Sequence, residues 1–136
     1  MRILIVEDDF ISRRILKEIL SEFGECTVVV DGAEAVQEFT LAISDGKPYD
    51  IIFLDIMLPN VDGLEALKQI REYERSRGTL PSGEVKVVMT TALDDPRTVI
   101  DAYYQRGADS YLVKPITRAR LVHELKKAGL LGTVKK

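Results

Sequence analysis

The chain has 136 residues, 46% of them apolar and 30% charged, enough for one domain with a proper core but not for two. A net charge of -3 gives no general attraction for nucleic acid or an anionic membrane, so neither is expected as a direct partner. The single cysteine, Cys26, forbids an internal disulfide and suits a reducing cytoplasm. Arg2, a short apolar run and then three acids make the N-terminus neither a signal peptide nor a membrane span.

Apolar runs predict strands at Ile3–Val6, Thr27–Val30, Ile51–Leu54, Val85–Met89 and Ser110–Val113. A stretch of helical periodicity follows each of the first four. After the first strand, Ile11, Ile15, Leu16, Ile19, Leu20 and Phe23 recur at three- and four-residue steps, which predicts one apolar stripe against a sheet, with Arg13, Arg14, Lys17 and Glu18 in water. Ala35, Val36, Phe39 and Ile43 repeat the pattern in the second helix. The third contains Leu64, Leu67, Ile70 and Arg71 and is entered through Asp62 as N-cap, with Glu65 three residues on. Arg77 to Glu84 reads as a loop. A fourth helix is expected to open at Asp95-Pro96, and a fifth, capped by Thr117, to turn Leu121, Val122, Leu125 and Ala128 inward. Five strands alternating with five helices predict a doubly wound parallel sheet covered on both faces. Residues 1–128 make up this domain. Residues 129–136 are expected to be a short C-terminal tail without an effector domain.

Ligands of such sheets sit beyond the carboxyl ends of the strands. Those ends carry Glu7, Asp8 and Asp9; Asp55; Thr90 and Thr91; and Lys114. Close carboxylates repel by about 4 kcal/mol per pair at an effective dielectric near 20, so the cluster invites a divalent cation. Oxygen ligands point to Mg2+, which takes one or two protein carboxylates alongside phosphate oxygens. Lys114 is a compact charge able to neutralise a carboxylate at rest and a phosphoryl oxygen after reaction. The absence of Cys and His ligands argues against zinc.

On "ILIVEDD" at 3–9, "FLDIMLPNVDG" at 53–63, "MTTA" at 89–92 and "GADSYLVKP" at 107–115, the chain resembles the receiver domain of two-component response regulators, in particular the stand-alone CheY-like type. The resemblance implies strand order 2-1-3-4-5 and a signalling switch, not an ordinary enzyme. Asp55 would accept a phosphoryl group from a histidine kinase or histidine phosphotransfer protein, with Lys114 and Thr91 assisting. Mg2+ would be held by Asp8, by Asp55, by Glu7 through a water and by the Met57 backbone carbonyl, with Asp9 a solvated neighbour. Thr91, with Thr90 as the alternative, and Tyr111 would form the switch. A downstream protein would bind the face of the fourth helix, fifth strand and fifth helix, where Arg97, Tyr104, Arg118 and His123 are expected outside. The resemblance also implies a cis peptide before Pro115. Met57 and Leu93, both apolar, would flank the path of the hydrolytic water and leave the phosphoryl group long-lived. A monomer or a weak phosphorylation-dependent dimer is expected.

Other aspartyl-phosphate and doubly wound classes fit less well. A haloacid-dehalogenase-type phosphatase needs Asp-x-Asp after the first strand, and Glu7-Asp8-Asp9 lacks that spacing. A flavodoxin-like module needs a hydroxyl- and glycine-rich phosphate loop where this chain has acids. A degenerate interaction-only receiver would not keep the acid, threonine and lysine set.

Overall fold

The structure is a computed structural model and describes residues 1–92 and 107–131. Strands β1 (Arg2–Val6), β2 (Glu25–Val29), β3 (Ile51–Asp55), β4 (Lys86–Thr91) and β5 (Ser110–Val113) form one parallel sheet in the order β2-β1-β3-β4-β5. Helices α1 (Phe10–Leu20), α2 (Gly32–Ser44), α3 (Gly63–Ser76) and a C-terminal helix (Arg118–Lys127) cover its two faces. The helix expected from Asp95-Pro96 lies outside the described residues, as do Leu93, Arg97, Tyr104 and the last five residues.

Alternating side chains split each central strand between two cores. Leu4, Val6, Ile52, Leu54, Val87 and Met89 pack with Ala35, Phe39, Leu67 and Ile70 of α2 and α3. Ile3, Ile5, Ile51, Phe53 and Val88 pack on the other face with Leu16, Leu20, Leu121 and Leu125. Strands apolar at every position are the signature of a sheet buried on both sides, and β3 is buried from end to end.

Three expectations need correction. In α1 only Leu16 and Leu20 are buried, while Ile11 is 67% and Ile15 43% exposed. The apolar arc is wider than the sheet can cover, because Phe10, Ile11 and Ile15 lie beyond the contact line. β2 runs Glu25–Val29, not Thr27–Val30: the Val30 N–H donates to Glu34 of the α2 first turn at 3.0 Å, which removes it from the ladder. β4 starts at Lys86, not Val85, and reaches Thr91. Val85 donates its N–H to Glu74 at 2.7 Å and gives its carbonyl to Arg71 at 2.9 Å. The 77–84 loop contains a single 3-10 turn at Pro81–Gly83.

The expected caps are present. Asp62 accepts from the Glu65 N–H at 2.9 Å and Thr117 from the Arg120 N–H at 3.3 Å. The strand exits stay tied to the sheet. Glu7 N–H donates to Val29 O at 3.1 Å, Ile56 N–H to Thr90 O at 3.0 Å, and Lys114 N–H to Thr91 O at 2.7 Å.

Candidate functional site

Four strand ends deliver the site. β1 passes into Glu7, fully buried, and then Asp8, exposed. β3 ends in Asp55, 4% exposed. Carboxylate oxygens of Glu7, Asp8 and Asp55 lie within 4.8 Å of one another. From the exit of β5, Lys114 Nζ reaches Glu7 Oε1 at 2.8 Å and donates to Asp55 Oδ2 at 3.2 Å. The Lys114–Pro115 peptide is cis.

Backbone geometry sets this convergence. A Cβ on Gly63 would stand 2.1 Å from the Asp55 carbonyl oxygen, so only glycine lets α3 begin this close to the end of β3. The Met57 N–H turns back and donates to Asp55 Oδ1 at 3.1 Å. Met57 itself points outward, 61% exposed. Asp9 is not merely a solvated neighbour: its side chain caps α1 by accepting from the Ser12 N–H at 2.9 Å. Those hydrogen bonds to Ser12 hold its carboxyl below the ordinary value.

Burial, reinforced by the Asp55 carboxyl beside it, pushes Glu7 up to about 7, with Lys114 offsetting part of the rise. Burial opposes the Lys114 ammonium, but the contacts with Glu7 and Asp55 outweigh it and raise its pKa. Lys114 and Glu7 thus form a close ion pair, 2.8 Å between Nζ and the buried Oε1. Three carboxylates with oxygens within 4.8 Å of one another, one of them open to solvent, are a donor set that fits a hard cation with retained waters.

Thr90 and Thr91 are both fully buried at the end of β4. Thr90 sits in register beside Asp55, and Thr91 beside Val113. Thr90 Oγ1 is buried without a hydrogen-bond partner among the described residues. Tyr111 on β5 is 44% exposed. Arg118 and His123 are exposed on the C-terminal helix, and Arg118 pairs with Glu22 at 2.8 Å. Strand-end position alone brought Glu7, Asp8, Asp55 and Lys114 together correctly. It did not reveal the outward apolar group of α1, where Ile15 lines a recess of about 110 Å³ shared with Lys114, Pro115 and Ile116.

Among the described residues no helix is long and apolar enough to cross a membrane. The family model "Response regulator receiver domain" matches residues 3–126. The chain is 35% identical over 131 residues to Chemotaxis protein CheY of Listeria monocytogenes, covering 95% of this chain and 98% of that protein. It is 36% identical over 135 residues to Hybrid signal transduction histidine kinase L of Dictyostelium discoideum, covering 96% of this chain but 7% of the kinase. Two further histidine kinases are matched over 12% of their length. Among solved structures, the CheX-CheY-BeF3-Mg2+ complex of Borrelia burgdorferi aligns with TM-score 0.79 and 28% identity, over 95% of this chain and 89% of that one. The Saccharomyces cerevisiae complex of the histidine phosphotransfer protein Ypd1 with the Ssk1 receiver domain aligns with TM-score 0.81 and 29% identity, over 95% and 88%. With its 2-1-3-4-5 sheet and its acid cluster facing a lysine, the chain belongs to the response regulator receiver domain family, the CheY-like module of two-component signalling.

Proposed function

We propose that Asp55 is the phosphoacceptor of a signalling switch and takes its phosphoryl group from the phosphohistidine of a kinase or phosphotransfer protein. The observation that carries this reading is the meeting of Glu7, Asp8 and Asp55 within 4.8 Å, with Lys114 against the nucleophile. An Asp55 carboxylate oxygen attacks phosphorus, the phosphorus–nitrogen bond breaks, and its electron pair stays on the departing imidazole. The Lys114 ammonium, already 3.2 Å from Asp55, neutralises charge that builds on the phosphoryl oxygens. Asp8, Asp55 and the Met57 carbonyl would hold Mg2+ directly and Glu7 through water; the ion supplies positive charge that shields attacking and transferred oxygens from each other.

The Thr91 hydroxyl then donates to a phosphoryl oxygen, and Tyr111 turns inward from its exposed position. This alters the face of β5 and the C-terminal helix for a protein target. Phosphorylation adds about -1.5 to -2 charges, and it can shift that face only because the two states contact the new charge differently. The donor docks over the rim, where α1 exposes Phe10, Ile11 and Ile15, the last sharing a recess with Lys114.

Incubation with acetyl phosphate and Mg2+, followed by intact-mass measurement, tests the reading. One phosphate adduct is expected, absent in Asp55→Ala and lost slowly, because apolar Met57 has no group to orient water. Continuous turnover of varied phosphate esters, or an adduct that survives Asp55→Ala, would overturn it.

A further inference from the structure

The loop from Met57 to Asp62 follows directly on Asp55, and its apex is pinned to a different part of the fold. Its base closes where the Gly63 N–H donates to the Ile56 carbonyl at 2.9 Å, and Leu58 and Val61 pack partly against the core. The apex is Asn60, at φ 64°, a left-handed conformation that asparagine tolerates better than most residues. Its side-chain amide donates to Asp31 Oδ2 at 2.9 Å, while Asp31 Oδ1 accepts from the Glu34 N–H at 2.7 Å as the N-cap of α2. One carboxylate thus anchors a helix with one oxygen and the loop with the other. The two segments run so close that a Cβ on Gly32 would stand 1.8 Å from the Val61 carbonyl oxygen.

We propose that the Asn60–Asp31 latch sets the position of the Met57 carbonyl and thereby the strength of Mg2+ binding, making Asn60 a positioning residue for a site it does not touch. The inference rests on the phosphoacceptor reading above. Met57 is the first residue of the loop, and its exposed side chain gives the backbone no packing anchor of its own. Its N–H is held by Asp55, so the orientation of its carbonyl is governed by the path of the loop toward Asn60. Mg2+ demands near-ideal octahedral geometry, so a small displacement of one ligand is felt in affinity.

Two variants separate the latch from general stability. N60G keeps the positive φ and the net charge but removes the amide donor. The double variant D31N plus N60D keeps the net charge and reverses donor and acceptor, and asparagine caps α2 as well as aspartate does. Mg2+ is titrated calorimetrically into each protein, and amide exchange of Met57, Leu58, residue 60 and Val61 is followed by NMR without metal. N60G is expected to weaken Mg2+ binding about fivefold, the equivalent of one ordinary hydrogen bond, and to speed exchange in the loop. The double variant is expected to restore both. Equal Mg2+ affinity in wild type and N60G, or a double variant no better than N60G, would overturn the latch alone. Wild-type protein that takes up no Mg2+ would overturn the phosphoacceptor reading and the latch's role with it.

Discussion

Glu7 and Asp8 are neighbours in sequence and opposites in environment: the first is fully buried, the second open to water. An acid whose pKa is raised on folding is a pH sensor of definite sign. Below pH 4.5 Glu7 is protonated in both the folded and the unfolded chain. Between 4.5 and about 7 the folded protein keeps a proton that the unfolded chain releases, so stability falls as pH rises. Asp9 and Asp31, held below 3.8, titrate under this window. Thermal denaturation of the metal-free protein should therefore show a melting temperature that declines from pH 5 to 7.5 by a few degrees, and Glu7→Gln should flatten the slope. A slope of the same size in Glu7→Gln would assign the effect elsewhere. Asp55 was legible because an apolar strand that ends in an acid stands out. The burial of Glu7 was not, since "EDD" gives no sign of which acid stays within the sheet. Nor was the capping role of Asp9, which depends on where the next helix begins.

At the scale of elements, α1 shows what periodicity can and cannot tell. Its three-and-four spacing identified a helix correctly, but apolar residues spread over more than one face satisfy the same spacing whether a sheet or a partner covers them. Leu16 and Leu20 take the sheet, leaving Phe10, Ile11 and Ile15 exposed beside the rim. Replacing Ile11 and Ile15 together with Ser should slow phosphotransfer from a phosphohistidine protein about tenfold, as expected when a docking surface loses apolar anchors. Labelling by acetyl phosphate should not change, because a small donor needs no docking face. Rapid-quench measurement of both reactions on one preparation separates the outcomes, and equal slowing of both would place the effect in the site itself. The caps at Asp62 and Thr117 were readable because capping is local chemistry. The early end of β2 was not, because it depends on Glu34 reaching back to Val30.

Across the whole molecule, the two ends of the sheet carry different polar constructions. At the exits of the strands stand the acids and Lys114. Toward the opposite end, Arg71 of α3, 3% exposed, donates to Gly107 O at 3.0 Å, Glu74 at 2.8 Å, Val85 O at 2.9 Å and Asp109 at 3.1 Å. Glu74 in turn accepts from the Val85 N–H, and Asp109 from the Val87 N–H at 2.8 Å. This network joins α3, the start of β4 and the approach to β5. The three- and four-residue spacing placed Arg71 with Leu64, Leu67 and Ile70 but could not show what it binds there, because Gly107, Val85 and Asp109 are distant in sequence. Arg71→Met leaves Glu74 buried without its cation and should cost about 3 to 5 kcal/mol, measured as a lower urea midpoint. A change within 0.5 kcal/mol would mean that water replaces the guanidinium at no cost.

The backbone bonds that tie Glu7 to Val29, Ile56 to Thr90 and Lys114 to Thr91 make the reactive groups continuations of the sheet ladder, not passengers on loops. Protein segments that open at low free energy are those with few backbone bonds and little buried apolar contact, whereas these strand exits are held by backbone bonds and follow directly on buried apolar strands. The site therefore cannot fray ahead of the fold: cation affinity should vanish on heating in the same cooperative step as the sheet. A destabilising mutation far from Asp55 would then lower the fraction of molecules able to react while leaving each surviving molecule fully competent.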